Sequence, residues 1–195
     1  MTPSSVDFAQ LAFGVLGTTT KGGRQLPALY TTGEPVAFSP DEFHHIPFEP
    51  NAYNCPEAQR VTLCVTPSAA LCDSIAALDE WCITTLSANP TTLLGVSLTP
   101  DQIRERYVSC LRTSEKGYKT LRSKINLSGR YSIQCYTPEK EKCAVLETWR
   151  GSLVQPRLLF KGCWIMGKDY GMLLETTHVL IQEGGGGEEC PFEDY

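Results

Sequence analysis

The sequence predicts an α+β domain that is mainly β. We expect an OB-like antiparallel β-barrel with two attached helices, at about 67–86 and 100–112, and a flexible acidic C-terminal tail. Three observations carry this. From Tyr118 onward, short segments with apolar residues at every second position alternate with polar or glycine-containing turns. Ahead of them, two stretches switch to helical spacing, each behind a Thr-Pro pair. Four consecutive glycines, Gly184–Gly187, then separate the last apolar segment from an acidic tip. The expected division is therefore a domain over 1–183 and a tail over 184–195.

The elements follow in order. Up to about residue 50 the chain is rich in Gly, Pro and Thr, with the short apolar pieces FAQLAFGVLG, LPALYT and EPVAFS, which read as short strands and turns. In RVTLCVT, Val61, Leu63 and Val65 share one face of a strand. Thr66 then reads as an N-cap, with Leu71, Ile75, Leu78 and Cys82 on one helical stripe. Thr99, Pro100 and Gln102 spell a second helix start with a capping box, and Ile103, Tyr107, Cys110 and Leu111 form its expected buried stripe. After that YKTLRSKINL, YSIQCYTP, CAVLETW, PRLLFKGCWIM and YGMLLETTHVLI read as a meander of strands joined by hairpin turns.

Composition narrows the function classes. In 195 residues, 42% hydrophobic and 20% charged content is ordinary for a globular protein with one core. No apolar run approaches the roughly 18 residues of a membrane span, and the N-terminal stretch carries Asp7 rather than a basic region, so we read it as part of the fold. The nine cysteines contain no CxxC pair and mostly sit inside apolar runs. Their spacing fits small core thiols in a reducing compartment better than a zinc site with His44 and His45. Enzyme signatures are missing: GVLGTTTKGGRQ lacks the GxxxxGK[ST] pattern, and GxSxG, HExxH and EF-hand patterns do not occur. His178 lies within an apolar strand pattern and reads as structural. No catalytic residue, cofactor or metal is expected.

Charge is the most informative pattern. Residues 1–100 hold 3 Lys/Arg against 9 Asp/Glu, residues 101–168 hold 14 against 6, and residues 169–195 hold none against 7. A basic middle bracketed by acid points to a polyanionic partner. Along the strand at 118–127, Thr120, Arg122 and Lys124 share one face, with the cations about 7 Å apart, a spacing suited to the phosphates of an extended strand. Arg112, Lys116, Lys119 and Arg130 flank them, and Tyr118, Tyr131, Tyr136, Trp149, Trp164 and Tyr170 are candidate stacking rings. Arg150, Lys161 and Lys168 stand beside these tryptophans in sequence. Lys21 and Arg24, around Gly22-Gly23, make a second candidate contact. Two other readings are weighed against nucleic-acid binding. One is a protein-interaction or virion-assembly module with a basic strand face. The other is a nuclease, for which Glu139, Glu141 and Glu147 are the acids at hand.

The order of these pieces resembles the single-stranded DNA-binding proteins of large eukaryotic DNA viruses and T7-type phages. The resemblance rests on the TTTKGGRQ hairpin, a Pro-Phe-rich connection, a helix, YKTLRSKI and, most specifically, LLFKGCWIMGKDYGMLLETTHVLI. In this last piece a strand with Trp164, a turn at Gly167-Lys168 and a strand opening on Tyr170-Gly171 match the pattern. The helix at 67–86 and Cys190-Pro191 depart from it. The resemblance implies an OB-fold core and sequence-independent binding of single-stranded DNA in replication, recombination or repair. It also implies a tail, with Glu188, Glu189, Phe192, Glu193, Asp194 and Tyr195, that recruits replication proteins. If the chain is viral, the compartment is the host nucleus or a cytoplasmic virus factory. RNA binding and homo-oligomerisation are left open. The charge pattern adds that the acidic tip competes with DNA for the basic face.

Overall fold

In the computed structural model, which describes residues 6–19, 22–52, 55 and 57–182, the chain is mostly β-sheet with three α-helices. Its core is one continuous cluster that includes Leu26, Phe38, Leu63, Ile75, Ile125, Phe160 and Leu174. A 3-10 turn capped by Asp7 leads into β1 (Leu11–Phe13), β2 (Gly17–Thr18), β3 (Arg24–Tyr30), β4 (Val36–Phe38), β5 (His44–His45) and β6 (Arg60–Val65). The helices follow: α1 (Ala69–Ala88), α2 (Pro90–Leu94) and α3 (Pro100–Arg106). Then come β7 (Tyr107–Val108), β8 (Leu111–Thr113), β9 (Lys119–Asn126), β10 (Gln134–Tyr136), β11 (Lys142–Cys143), β12 (Leu153–Met166) and β13 (Asp169–Gln182).

The spine is the hairpin of β12 and β13, 14 residues each, joined at Gly167-Lys168. The free edge of β12 takes β3, β4 and β5 in antiparallel pairing. The free edge of β13 takes β7, β9 and β10 in parallel pairing, and β9 continues antiparallel to β6 and β8. Among the described residues these ladders do not close into a ring. The gap between β6 and the β5 region is crossed by an isolated Asn51–Thr62 bridge and by the Thr66 N–H donating to the His45 carbonyl at 2.8 Å.

The expected all-antiparallel meander is therefore corrected: three pairings are parallel, because β13 is long enough to receive strands that arrive from elsewhere in the chain. CAVLETW, expected as a strand, contributes only Cys143 to β11, and Trp149 is drawn into the core. The helix expected at 67–86 runs Ala69–Ala88, because Ser68 rather than Thr66 caps it, its hydroxyl accepting from the Leu71 N–H at 3.2 Å. The capping box of α3 forms as expected, Thr99 and Gln102 bonding each other's backbone N–H. That helix stops at Arg106 instead of 112. Tyr107 turns extended, with φ −76° and ψ 134°, to pair with Tyr170 of β13, and Leu111–Thr113 pairs with β9. A backbone edge offering hydrogen bonds wins here over local helix propensity. A third helix, α2, was not expected.

α1 buries Leu71, Ile75, Leu78, Cys82 and Leu86, and its Trp81 lies between Phe13 at 4.7 Å and Phe160 at 6.0 Å. Asp79 on the same helix accepts from the Tyr107 hydroxyl at 2.8 Å and the Ser109 hydroxyl at 2.6 Å, tying α1 to the α3–β8 connection. Burial raises the Asp79 carboxyl pKa, and the two hydroxyls oppose the shift. No helix among the described residues is long and apolar enough to cross a membrane. The eight described cysteines are free thiols.

The spine meets its neighbours at two glycines. Gly162 has φ +107°, and a Cβ there would sit 2.0 Å from the Leu26 carbonyl oxygen of β3. At Gly171 a Cβ would lie 2.2 Å from the Val108 oxygen of β7. Gly162→Ala should lower stability by roughly 2–4 kcal/mol, combining backbone strain with a forced separation of β12 from β3. Gly151, at φ +85° with nothing within 4 Å of its virtual Cβ, isolates the strain, and Gly151→Ala should cost only about 1–2 kcal/mol. Urea unfolding of both variants checks this; equal losses would refute the close-approach argument.

Candidate nucleic-acid interface

The solvent-facing side of the sheet carries the site. On β9, Leu121, Ser123 and Ile125 are buried while Thr120, Arg122 and Lys124 face outward, the division that the alternation predicts. β6 alternates the same way: Val61, Leu63 and Val65 are buried, and Thr62 and Cys64 lie opposite Lys124 and Arg122. On the other edge of β9, Arg112 of β8 pairs with Thr120. Across β13, Trp164 of β12 stands in register with Gly171, where the missing side chain leaves room for the indole; a Cβ would lie 3.0 Å from its Cζ2. Together Arg112, Arg122, Lys124 and Trp164 line one groove of about 240 Å³, with Thr62, Leu173 and Leu174 among its other walls.

The electrostatics of this groove are lopsided. Lys124 Nζ donates to Thr62 Oγ1 at 2.7 Å, and partial burial, with Arg60 adding, holds its ammonium pKa below the usual value. Burial pushes the Cys64 thiol up, and the neighbouring Arg122 opposes that shift. Glu175, in register with Lys124, is bound by Arg60 at 3.3 Å and by Asn126 Nδ2 at 3.3 Å. Among the described residues, no salt bridge engages Arg112, Arg122 or Lys124. The groove is thus positively charged, floored by apolar side chains and edged by one half-buried indole. It can hold an anion beside a flat ring.

The other expected residues are dispersed. Lys116 and Tyr118 lie in the exposed turn between β8 and β9, and Lys119 opens β9 opposite Thr113. Arg130 stacks over Tyr131, 5.6 Å from its ring centroid, in the loop after β9; Tyr131 is 74% exposed but lies outside the groove. Lys168 occupies the β12–β13 turn. Arg24 starts β3, and its guanidinium donates to the Leu94 carbonyl at the end of α2 at 3.2 Å. Lys161 lies at a bulge of β12. Trp149 is a correction: at 3% exposure it is a core residue, and its N–H and that of Arg150 are fixed by the Glu49 carboxylate at 2.8–3.1 Å. Arg150 consequently belongs to that turn and not to the groove. Tyr170 is buried, its hydroxyl donating to the Ile103 carbonyl, and Tyr136 is stacked on His178 at 6.0 Å. Lys21 and the tail residues Glu188, Glu189, Phe192, Glu193, Asp194 and Tyr195 lie outside the described residues. Groove residues missed include Thr62, Val108 and Leu173. Alternation in RVTLCVT already put Thr62 on the outer face; what sequence lacked was the pairing that sets β6 beside β9.

No protein-family profile and no curated protein matches the chain. Among solved structures, it is similar to the single-stranded DNA-binding protein from bacteriophage Enc34 in complex with single-stranded DNA. The two are 12% identical, with 91% of this chain and 97% of that one covered at a TM-score of 0.51. It is also similar to gp2.5, a single-stranded DNA-binding protein encoded by bacteriophage T7. Here identity is 14%, coverage 83% and 98%, and the TM-score 0.51. Across nearly the whole of those chains, this protein shares the fold of phage single-stranded DNA-binding proteins.

Proposed function

We propose that the protein is a non-catalytic, sequence-independent single-stranded DNA-binding protein acting in DNA replication, recombination or repair. One observation carries the reading: the cations of β8 and β9 and the half-buried Trp164, separated by up to 52 positions in sequence, meet in one groove. Two phage proteins of the same fold are single-stranded DNA-binding proteins by name, one of them solved with its DNA. Counterion release favours phosphates at such cations whatever the bases, and an accessible ring stacks on unpaired bases of any identity. Duplex DNA hides its base faces, so the ring selects single strands. The groove contains none of Glu139, Glu141 and Glu147, which leaves the nuclease reading without a carboxylate cluster there.

We read the sheet as an OB-like barrel whose seam is the sparse β5–β6 contact. The tail is proposed to compete with DNA for the basic groove and, once displaced, to offer Phe192 and Tyr195 to replication proteins. Free thiols fit an intracellular reducing compartment. For a viral chain this is the host nucleus or a cytoplasmic virus factory.

Binding to a short oligothymidine should weaken steeply with salt. Three groove cations on phosphates give a slope of log affinity against log salt of about −2, and Arg122→Ala/Lys124→Ala should reduce it to about −0.7. Trp164→Ala should cost about 1–3 kcal/mol with the slope preserved. A wild-type affinity that is flat with salt would refute the reading. Deleting residues 184–195 should tighten oligothymidine binding at low salt and leave it nearly unchanged at high salt. Unchanged or weaker binding at low salt would count against tail competition.

A further inference from the structure

A second groove, of about 290 Å³, lies across β12 from the first. β3 alternates, burying Leu26 and Ala28 and turning Gln25, Pro27 and Leu29 to the other side. Gln25 is in register with Trp164 on one side and with Gly17 of β2 on the other. The two grooves therefore open on the same face of the sheet and share the Trp164–Gln25 boundary.

The second groove has a definite chemistry. Val15, Pro27, Leu29 and Leu159 supply apolar walls, and Gln25 and Thr18 supply polar groups. Gln25 Nε2 donates to the Lys161 carbonyl at 3.1 Å, so its amide oxygen remains the acceptor. The bulge between Phe160 and Gly162 leaves Lys161 without a partner in the β12–β13 register and places it at the groove. Among the described residues, no acidic residue lines it. A ligand suited to it has an apolar face, polar edges and an adjoining negative charge.

We infer that this groove is a second base subsite for the same bound strand, with a base packed on Pro27, Leu29 and Leu159 and its phosphate met by Lys161. The inference rests on the reading of the first groove as a DNA site. Continuity argues for a nucleotide rather than a peptide: a strand leaving the cations of β9 and passing Trp164 is delivered to Gln25. From β9 over β13, β12 and β3 to β2 is four strand spacings, roughly 19 Å. A track of that length fits the low end of the roughly 4–16 nucleotides taken by one OB-type domain. Without an aromatic ring the second subsite contributes less per base than the first and adds mainly reach.

The test compares a dinucleotide of thymidine, too short to reach both grooves, with a dodecamer of oligothymidine, on the full chain at one low salt concentration. The wild type should bind the dodecamer at least ten-fold more tightly, beyond the statistical gain from additional registers. Lys161→Glu and Val15→Asp should each remove most of that gain; Val15 is 88% exposed, so an acid there does not disturb the core. Trp164→Ala should instead weaken both oligonucleotides in similar proportion. Full retention of the length gain in both acid variants overturns the second subsite while leaving the first intact. A wild type that binds neither oligonucleotide overturns the parent reading, and this inference with it.

Discussion

The passage of the β12 backbone across β3 at Gly162 is the constraint on which the rest depends. At that point a side chain has no room, since the Leu26 carbonyl oxygen occupies the place of a Cβ. The contact allows β12 to pair with β3 at Gly162–Ile165 and, beyond a bulge, with β4 at Leu158–Phe160. A β-bulge bends a strand and increases its twist, and this one divides β12 into two pairing segments with different neighbours. Because β13 follows β12 along its whole length, the bend is passed on to every strand that β13 receives. Gly171 repeats the device one strand over, admitting β7 close enough to end α3 early. Both glycines lie beside groove residues. The backbone approach that shapes the sheet also seats Trp164 between Gly171 and Gln25.

On this frame the groove gathers charge that does nothing for folding. Among the described residues the three cations have no acidic partner and repel one another, and partial burial of Lys124 lowers its pKa, a desolvation cost. A sheet selected for stability alone would place a carboxylate among them. The nearby carboxylate, Glu175, is occupied by Arg60 and Asn126 at the groove's edge. Thr62 orients Lys124 with a neutral oxygen, which fixes the ammonium without cancelling its charge. Local rules broken in this way, beside a well-packed core, are what the proposed ligand site accounts for. The charge that penalises the free protein is the charge that an anion relieves.

How much of this was legible in sequence depended on the range of the information. Strand alternation is local, so the two faces of β6 and β9 were read correctly, as was the Thr99 capping box. Pairing is not local. Nothing in the composition from Tyr107 to Arg112 says that β13 will offer it an edge, so Ile103, Tyr107, Cys110 and Leu111 read as one helical stripe, while the helix itself ends at Arg106. The tryptophans show the same limit. Trp149 stands beside an arginine and a glycine, a surface-like neighbourhood, yet Glu49 from a loop 100 residues away captures its backbone and the ring is buried. Trp164 stands between Cys163 and Ile165, a core-like neighbourhood, yet the glycine opposite opens its outer face. In each case a partner distant in sequence decides exposure.

On the proposed reading, the distinction between along-strand and cross-strand neighbours also sets the direction in which a strand would run. Sequence spacing set Arg122 and Lys124 about 7 Å apart along β9 and implied a nucleic-acid backbone running with that strand. The groove is assembled crosswise instead, from Thr62 on β6 through Arg122 and Lys124 on β9 to Leu173 on β13 and Trp164 on β12. A chain that touches both cations and indole must traverse the strands, where neighbours recur at about 4.8 Å and belong to segments far apart in sequence. The basic run Arg112–Arg130 accordingly divides: Arg112, Arg122 and Lys124 lie on the crosswise path, whereas Arg130 stacks on its own neighbour Tyr131 off it. Net charge identified the segment, but strand pairing selects which of its cations can act together.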